Sequence, residues 1–228
     1  MQNSNVRLGY CCINLSLADQ KITANRGMIK RTFQEKGPAY CGELAHQNVK
    51  DILKILQWNL ANDILVYRMS SDIFPWMSEY EITELPNFSE ILPDMRAIGE
   101  FALQHNMRIS MHPGQFDVLC SPNPNVVRKT VKDLNQHAEI MTLMGLPITY
   151  QFPINIHLGG AYGDRETAAA RFCENFHLLK LSTKSRLVVE NDDKAAQYSV
   201  ADLYSLVYSK IGTPITFDFH HHRFNTGD

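Results

Sequence analysis

The chain has 228 residues, of which 44% are hydrophobic and 20% are charged, and its formal net charge is −2. This length accommodates one large domain with a substantial core. The charge gives no overall sign of nucleic-acid binding, although a basic patch on one face is compatible with it. The amino terminus lacks the apolar core of a signal peptide, and no apolar run is long enough to cross a bilayer. The five cysteines show no metal-binding spacing, so we expect reduced, buried thiols in a cytoplasmic protein.

Short apolar runs alternate with longer segments of helical periodicity along the chain. Strands are predicted at residues 6–10, 64–69, 107–111, 154–156, 187–189 and 215–217. Helices are predicted at residues 40–62, 88–105, 125–144, 165–181 and 200–210. Asp164 and Ser199 stand where a side-chain cap would begin the last two helices. The stretch 73–87, which contains Pro75 and Pro86, is predicted to be an elaborated loop.

Six strand–helix units indicate a TIM-type (β/α) barrel, an α/β fold that closes with eight units. After the sixth strand, residues 223–228 contain no apolar run that could close a sheet. Either the sequence pattern fails to identify two strands, or the chain is the amino-terminal portion of a longer protein. We favour the second explanation. We therefore expect residues 1–228 to form a single barrel domain that is truncated at its carboxyl-terminal end.

Residue types that bind metals stand at the downstream ends of the last four predicted strands. These residues are His112, His157, Glu190 and Asp218, and His221 follows three positions after the last of them. Because β/α barrels place their active sites at the carboxyl ends of their strands, the pattern predicts a metalloenzyme. Imidazole and carboxylate ligands together suit Zn²⁺, Mn²⁺ or Fe²⁺. A carboxylate such as that of Glu190 can bridge two ions, which could activate water for phosphodiester cleavage.

Each of these residues also has a simpler interpretation when it is taken alone. A histidine at the end of a strand is more often a hydrogen-bonded rim residue than a metal ligand. The run 190–193 could be an acidic loop, and 220–222 resembles the remnant of a histidine tag. Only some of these three histidines can face a site after a strand that ends at Asp218, and we select His221. The prediction of a metal site rests on the convergence of four strand ends and not on any single residue.

Several ordered motifs are spread over nearly the whole chain. The amino-terminal half contributes Arg7-Leu8-Gly9-Tyr10 with Asn14, Trp58-Asn59, Arg68-Met69-Ser70-Ser71, Arg108-Ile109-Ser110-Met111-His112-Pro113-Gly114-Gln115-Phe116 and Ser121-Pro122-Asn123-Pro124. The remainder contributes Ile154-Asn155-Ile156-His157-Leu158-Gly159-Gly160-Ala161-Tyr162-Gly163, Glu190-Asn191-Asp192-Asp193 and Asp218 with His221-His222. In number and order these motifs resemble those of the UV damage endonuclease family, and chance similarity is an unsatisfactory explanation for them.

The resemblance implies a TIM barrel that is related in its site to the apurinic endonuclease IV group. It implies a cluster of divalent metals, with manganese expected and magnesium or zinc as alternatives. Such enzymes nick DNA immediately 5′ to pyrimidine dimers and 6-4 photoproducts, which starts excision repair. Carried over by motif, the metal ligands would be His112, His157, Glu190, Asp218 and His221. Among them Glu190, His112 and His157 would be catalytic, and Glu190 would bridge the metals.

The resemblance also implies residues that contact the lesion. Gln115 and Phe116 would insert into the duplex opposite the damage, where an aromatic wedge offsets part of the cost of unstacking. Tyr10 and Asn14 would contact the extruded nucleotides. Glu79 stands where many relatives have a site histidine, so its role is uncertain. The expected partner is UV-damaged double-stranded DNA, bound by a monomer in the cytoplasm at the nucleoid, with no membrane partner.

Two other functions remain open from the sequence. A metal-dependent sugar isomerase of the xylose-isomerase-like barrels would also use His, Glu and Asp at strand ends, but it would not require a Gln-Phe wedge. A damaged-DNA-binding module without catalysis would apply if the short chain is the natural product. The later strands of the UV damage endonucleases supply further ligands, a histidine and a glutamate among them, which this sequence does not contain.

Overall fold

Residues 6–227 are described by the computed structural model, and they divide into two compact units. The first unit comprises the chain up to His112 together with Glu139–Pro147. The second comprises Pro113–Ala138 and the chain from Ile148 onward. Parallel strands alternate with helices in both units, so the fold is α/β as predicted.

The first unit contains three parallel strands, with the second paired to both of the others. These strands are β1 (Gly9–Cys11), β2 (Val66–Met69) and β3 (Arg108–Met111). Helix α1 (Lys30–Ala61) follows β1, and helix α2 (Phe88–Gln104) follows β2 and packs against α1. Three short 3₁₀ helices, Ser71–Ile73, Met77–Glu79 and Ile82–Glu84, lie in or beside the predicted loop at 73–87.

The second unit repeats this arrangement with three more parallel strands, β4 (Ile154–His157), β5 (Leu187–Glu190) and β6 (Ile215–Thr216). The helices numbered in chain order are α3 (Pro124–Leu143), α4 (Arg165–Phe176), α5 (Leu181–Lys184), α6 (Val200–Leu203), α7 (Ser209–Ile211) and α8 (Phe219–His222). A π-helical turn, Tyr204–Tyr208, joins α6 to α7. All four residues of β5 are buried, as expected for a strand with neighbours on both sides.

The predicted caps are present in the structure. The Asp164 side chain accepts hydrogen bonds from the backbone N–H groups of Glu166 and Thr167 at the start of α4. Ser199 and Asp202 form a reciprocal capping box at the start of α6. These side chains satisfy N–H groups that a helix leaves without partners at its first turn, and they fix where each helix begins.

Some predicted boundaries were wrong. Helix α1 begins ten residues before the predicted start at residue 40, with a break at Gly37 (φ 64°, ψ −164°). Pro38 can begin the helical segment after that break, because the first turn of a helix does not need its N–H. The predicted helix 165–181 ends at Phe176. Strand β6 ends at Thr216, and the histidines 220–222 lie in the short helix α8.

The expectation of buried cysteines was wrong for the adjacent pair near the amino terminus. Cys11 is exposed and Cys12 is half-buried, because β1 is short and Cys12 (φ 59°) lies outside it. Cys41, Cys120 and Cys173 are buried thiols as expected. Within residues 6–227, no helix combines the length and the apolar character that a bilayer crossing requires.

Candidate functional site

The carboxyl ends of β4, β5 and β6 bring functional side chains of the second unit together. His157 is the last residue of β4 and pairs in register with Glu190, the last residue of β5. Glu190 pairs on its other side with Thr216, the last residue of β6. Residues in register on parallel strands point to the same side of a sheet, so the two predicted ligands, His157 and Glu190, face the same way. Glu190 is buried, with 5% of its surface exposed.

Asp218 and His221 join Glu190 through a local helix start. Asp218 is the N-cap of α8, and its carboxylate accepts a 2.9 Å hydrogen bond from the backbone N–H of His221. The His221 ring also lies near this carboxylate, with Nδ1 3.9 Å from Asp218 Oδ2. The side chains of Glu190, Asp218 and His221 each offer a ligand atom, and these atoms lie within 4.8 Å of one another. His221 Nδ1 is 3.5 Å from Glu190 Oε1.

Polar contacts orient the rings of the two predicted histidine ligands of the second unit. His221 Nδ1 lies 2.8 Å from the carbonyl oxygen of Asn191. His157 Nδ1 lies 3.1 Å from Asp192 Oδ1. A carbonyl oxygen only accepts hydrogen bonds, so Nδ1 of His221 carries the proton and donates it, and the nearby Asp192 carboxylate favours the proton on Nδ1 of His157 as well. With the proton on Nδ1, the lone pair of a neutral ring lies on Nε2, and this is the usual arrangement of histidines that bind metals.

The charges of the site act on one another. Burial alone would lower the pKa of His157, but the hydrogen bond to Asp192 and the nearby carboxylates raise it above its usual value. Burial alone would raise the pKa of Asp218, but the backbone N–H of His221 and the His221 ring hold it below its usual range. The site thus places carboxyl groups beside oriented imidazoles.

These residues fit a divalent cation. The Asp218 side chain contacts the Glu190 carboxyl group directly, and two carboxylates this close repel each other unless a proton or a cation lies between them. Carboxylate oxygens together with imidazole nitrogens suit Mn²⁺, Fe²⁺ or Zn²⁺ better than Ca²⁺. His157, Glu190, Asp218 and His221 could therefore hold such an ion.

Sequence reasoning missed three residues that support the predicted ligands. The Asn155 side chain donates to Glu190 from two positions before the end of β4. Asn191 accepts from the Asp218 N–H at 2.8 Å and donates to the Asp218 carbonyl at 3.1 Å, so it ties β5 to the start of α8. Asp192 holds the ring of His157. All three lie in quoted motifs, but an amide or carboxylate beside a ligand does not reveal its partner without the fold.

Two of the predicted metal-site residues lie in the first unit. His112 directly follows β3, is half-buried, and its carbonyl oxygen accepts a 2.8 Å hydrogen bond from Ser71 Oγ. This places it at the carboxyl end of its strand, as predicted. Glu79 is exposed at the end of the 3₁₀ helix Met77–Glu79. The roles of both residues in metal binding stay predictions.

Tyr10 and Asn14 lie together at the end of β1. The Asn14 side chain donates to the Tyr10 hydroxyl at 2.8 Å, and this hydroxyl donates to Asn59 Oδ1 at 2.7 Å. The Tyr10 ring also packs against Tyr67, with ring centroids 5.3 Å apart. The structure therefore joins the two residues into one fixed polar group, in which Asn59 is a partner that sequence reasoning did not identify.

Gln115 and Phe116 occupy an exposed turn in the second unit. The turn is closed by a 3.0 Å hydrogen bond from the Asp117 N–H to the Gly114 carbonyl oxygen. Gln115 is exposed, and 82% of Phe116 is accessible to solvent. A large aromatic side chain that is exposed in this way contributes nothing to the packing of the core. Its surface is therefore available to a partner.

Comparison with known proteins places this geometry in a family. The family model described as UV-endonuclease UvdE matches residues 6–228. The "UV DNA damage endonuclease" of Clostridium perfringens is 33% identical over 93% of this chain and 49% of the relative. The "UV-damage endonuclease" of Schizosaccharomyces pombe is 35% identical over 97% of this chain and 37% of the relative. The chain thus spans about half the length, or less, of these two relatives.

A solved structure also matches the fold of the chain. The structure titled "Crystal Structure of SacUVDE" superposes with a TM-score of 0.86 and 32% identity, covering 98% of this chain and 73% of that one. This likeness confirms the predicted TIM-type α/β fold, for which residues 6–227 supply six of the strands. With the family match over nearly all of its residues, the chain belongs to the UV-endonuclease UvdE family.

Proposed function

We propose that this chain carries the metal centre and the damage-contacting residues of an endonuclease that incises UV-damaged double-stranded DNA. The observation that carries the proposal is the group formed by Glu190, Asp218 and His221, with His157 in register beside it. The substrate is suggested by relatives whose names describe them as UV DNA damage endonucleases. The incision would lie immediately 5′ to the photoproduct and would start excision repair in the cytoplasm, at the nucleoid.

The protein residues would hold and orient the reacting groups. Glu190 would bridge two divalent ions, manganese in the first place, with His157, Asp218 and His221 as further ligands. His112 would be another ligand because it too follows a strand. When bound, the metal would lower the pKa of a water molecule and stabilise the charge on the leaving oxygen.

The remaining residues would act on the DNA and on the ligands. Asp192 and Asn191 would keep Nε2 of each histidine available by holding the Nδ1 proton. Phe116 would enter the base stack opposite the damage, where a photodimer is already poorly paired and therefore costs less to open than intact DNA. Tyr10 and Asn14 would contact the displaced nucleotides. We propose that the protein acts as a monomer.

The test is nicking of supercoiled plasmid, irradiated with UV or not, in Mn²⁺ or in EDTA. The variants are His112→Ala and Glu190→Gln, with Glu174→Gln as a control because Glu174 is exposed on α4. We expect nicking that requires irradiation and Mn²⁺, that both site variants abolish and that the control retains. Absence of nicking by the wild-type chain would contradict the proposed catalysis. A gel shift on the same DNA would then distinguish a damage-binding module from a chain that does not bind.

A further inference from the structure

A chain of three titratable side chains lies directly behind the Gln115–Phe116 turn and takes no part in the metal centre. Asp117 is the residue that follows Phe116, and its carboxyl group hydrogen-bonds the carboxyl group of Asp133 on α3. One helical turn further, His137 Nδ1 lies 3.0 Å from Asp133 Oδ2 and 2.9 Å from the Asp133 carbonyl oxygen. The His137 side chain is 1% exposed, so this contact is shielded from water.

The pair of carboxyl groups can stay in contact only if they share a proton. Burial and the neighbouring Asp133 raise the pKa of Asp117 to about 8. Burial would also raise the pKa of Asp133, but the hydrogen bond and charge of His137 hold it below its usual range. The opposite shifts place the shared proton on Asp117, which donates it to the Asp133 carboxylate. Among the described residues of this unit, Asp133 and His137 are the titratable groups that act on Asp117.

A second contact attaches the same segment to α3. The backbone N–H of Val118 donates to Thr130 Oγ1 at 3.0 Å. Asp117 and Val118 therefore both bind α3, on the side of the turn that leads away from Phe116. Since Asp117 also closes the turn through its N–H, a movement of its side chain would be transmitted to the exposed residues 115 and 116.

We propose that Asp117, Asp133 and His137 form a positioning unit that holds the Gln115–Phe116 turn in the geometry that recognises damaged DNA. The proposal rests on the DNA-probing role proposed above for this turn. Asp117 is a positioning residue in this scheme, because it acts through Phe116 and does not itself touch DNA. Loss of the Asp117 proton would replace a charge-assisted hydrogen bond by repulsion between two carboxylates, and the turn would leave α3.

The Asp117→Asn variant separates this role from a general structural one. An asparagine amide at position 117 can donate to the Asp133 carboxylate and has no proton to lose over the range that matters. Asp63→Asn is the matched control, because Asp63 is exposed beyond α1 and its left-handed φ of 58° suits asparagine. Thermal melts at each pH show whether every variant is folded under the conditions of the assay.

The first measurement is the dissociation constant for an irradiated duplex at pH 7 and pH 9, in EDTA so that no incision takes place. We expect wild type and Asp63→Asn to lose about tenfold more affinity than Asp117→Asn over this range, as fits loss of a hydrogen bond to a charged group. Dividing the affinity loss of one protein by that of another removes the effects of pH that all three proteins share. Equal losses in wild type and Asp117→Asn would overturn the proposal.

The second measurement needs no DNA and so separates this inference from the proposed function. A ¹⁹F resonance of 4-fluorophenylalanine at position 116 is followed from pH 6 to pH 10. A shift with a midpoint near the pKa of Asp117, about 8, in wild type but not in Asp117→Asn would support the positioning unit. A resonance without such a shift in wild type would overturn it. Failure of irradiated DNA to bind at any pH would instead contradict the proposed function.

Discussion

Replacement of Phe116 by alanine tests its proposed insertion into DNA without a large effect on the stability of the fold. Because 82% of Phe116 is exposed, its truncation removes little packing, and we expect the free energy of unfolding to change by less than about 0.5 kcal/mol. Burying that exposed part, roughly 160 Å² of a side chain of about 200 Å², would contribute at most about 4 kcal/mol. Unstacking the duplex costs a few kcal/mol, which offsets much of this gain.

The net contribution of the wedge should therefore resemble that of other stacked aromatics, about 1–3 kcal/mol per base. This corresponds to a loss of roughly 5- to 150-fold in affinity for an irradiated duplex. Affinity is measured by fluorescence anisotropy with irradiated and intact duplexes, and stability by thermal unfolding. Phe116→Tyr, which keeps the ring, should retain most of the affinity.

Tyr150→Ala is the matched control for this prediction. Tyr150 is an aromatic residue of the same unit that is 60% exposed, but it precedes the amino end of β4, whereas His157 lies at the carboxyl end. We expect it to leave binding unchanged. Wild-type affinity in Phe116→Ala would refute the wedge. An equal loss on irradiated and intact DNA would show a general DNA contact and not a lesion probe.

Three further predictions address the ligands, the caps and the pH dependence of stability. Asp192→Asn removes the charge that holds His157 and should weaken Mn²⁺ binding about 10- to 100-fold in a calorimetric titration; unchanged affinity would contradict the role given to Asp192. Ser199→Ala breaks the capping box with Asp202 and should cost about 1 kcal/mol in denaturant unfolding without changing metal affinity. Asp117 binds its proton more tightly in the folded chain, where its pKa is about 8, than in the unfolded chain. Its contribution to stability should thus fall as pH rises from about 4 to about 8, and Asp117→Asn should remove this dependence in melts; a slope equal to that of wild type would contradict it.

The parts of the fold that depend on local sequence could be predicted. The strands at residues 187–189 and 154–156 were predicted to within a residue, because a short apolar run between polar segments has few alternatives. The caps Asp164 and Ser199 were predicted because their hydrogen bonds close within three residues. The start of α1 was not predicted, since Gly37 and Pro38 normally end a helix and here they lie inside one kinked element.

The candidate site likewise combines features that depend on local sequence with contacts that do not. Asp218 and His221 were selected together because they stand three positions apart after a predicted strand, and the structure shows this spacing to be that of a helix N-cap and the residue it contacts. The contacts that support them are not local. Asn155 donates to a carboxylate 35 positions away, and Asn191 binds the backbone of Asp218 across 27 positions. No periodicity encodes such a pair, because an asparagine at a strand end is equally consistent with a turn.

The non-local contacts give the predicted ligands their chemical character. A histidine at the end of a strand becomes a suitable metal ligand only when an acceptor holds its Nδ1 proton. Asp192 supplies that acceptor for His157, and the Asn191 carbonyl supplies it for His221. The Asn191 carbonyl is one of these acceptors, and its side chain also fixes the backbone of Asp218, so Asn191 supports two predicted ligands at once. Residues 190–192 therefore act as one unit, in which the predicted ligand Glu190 is followed directly by the residues that support the neighbouring predicted ligands.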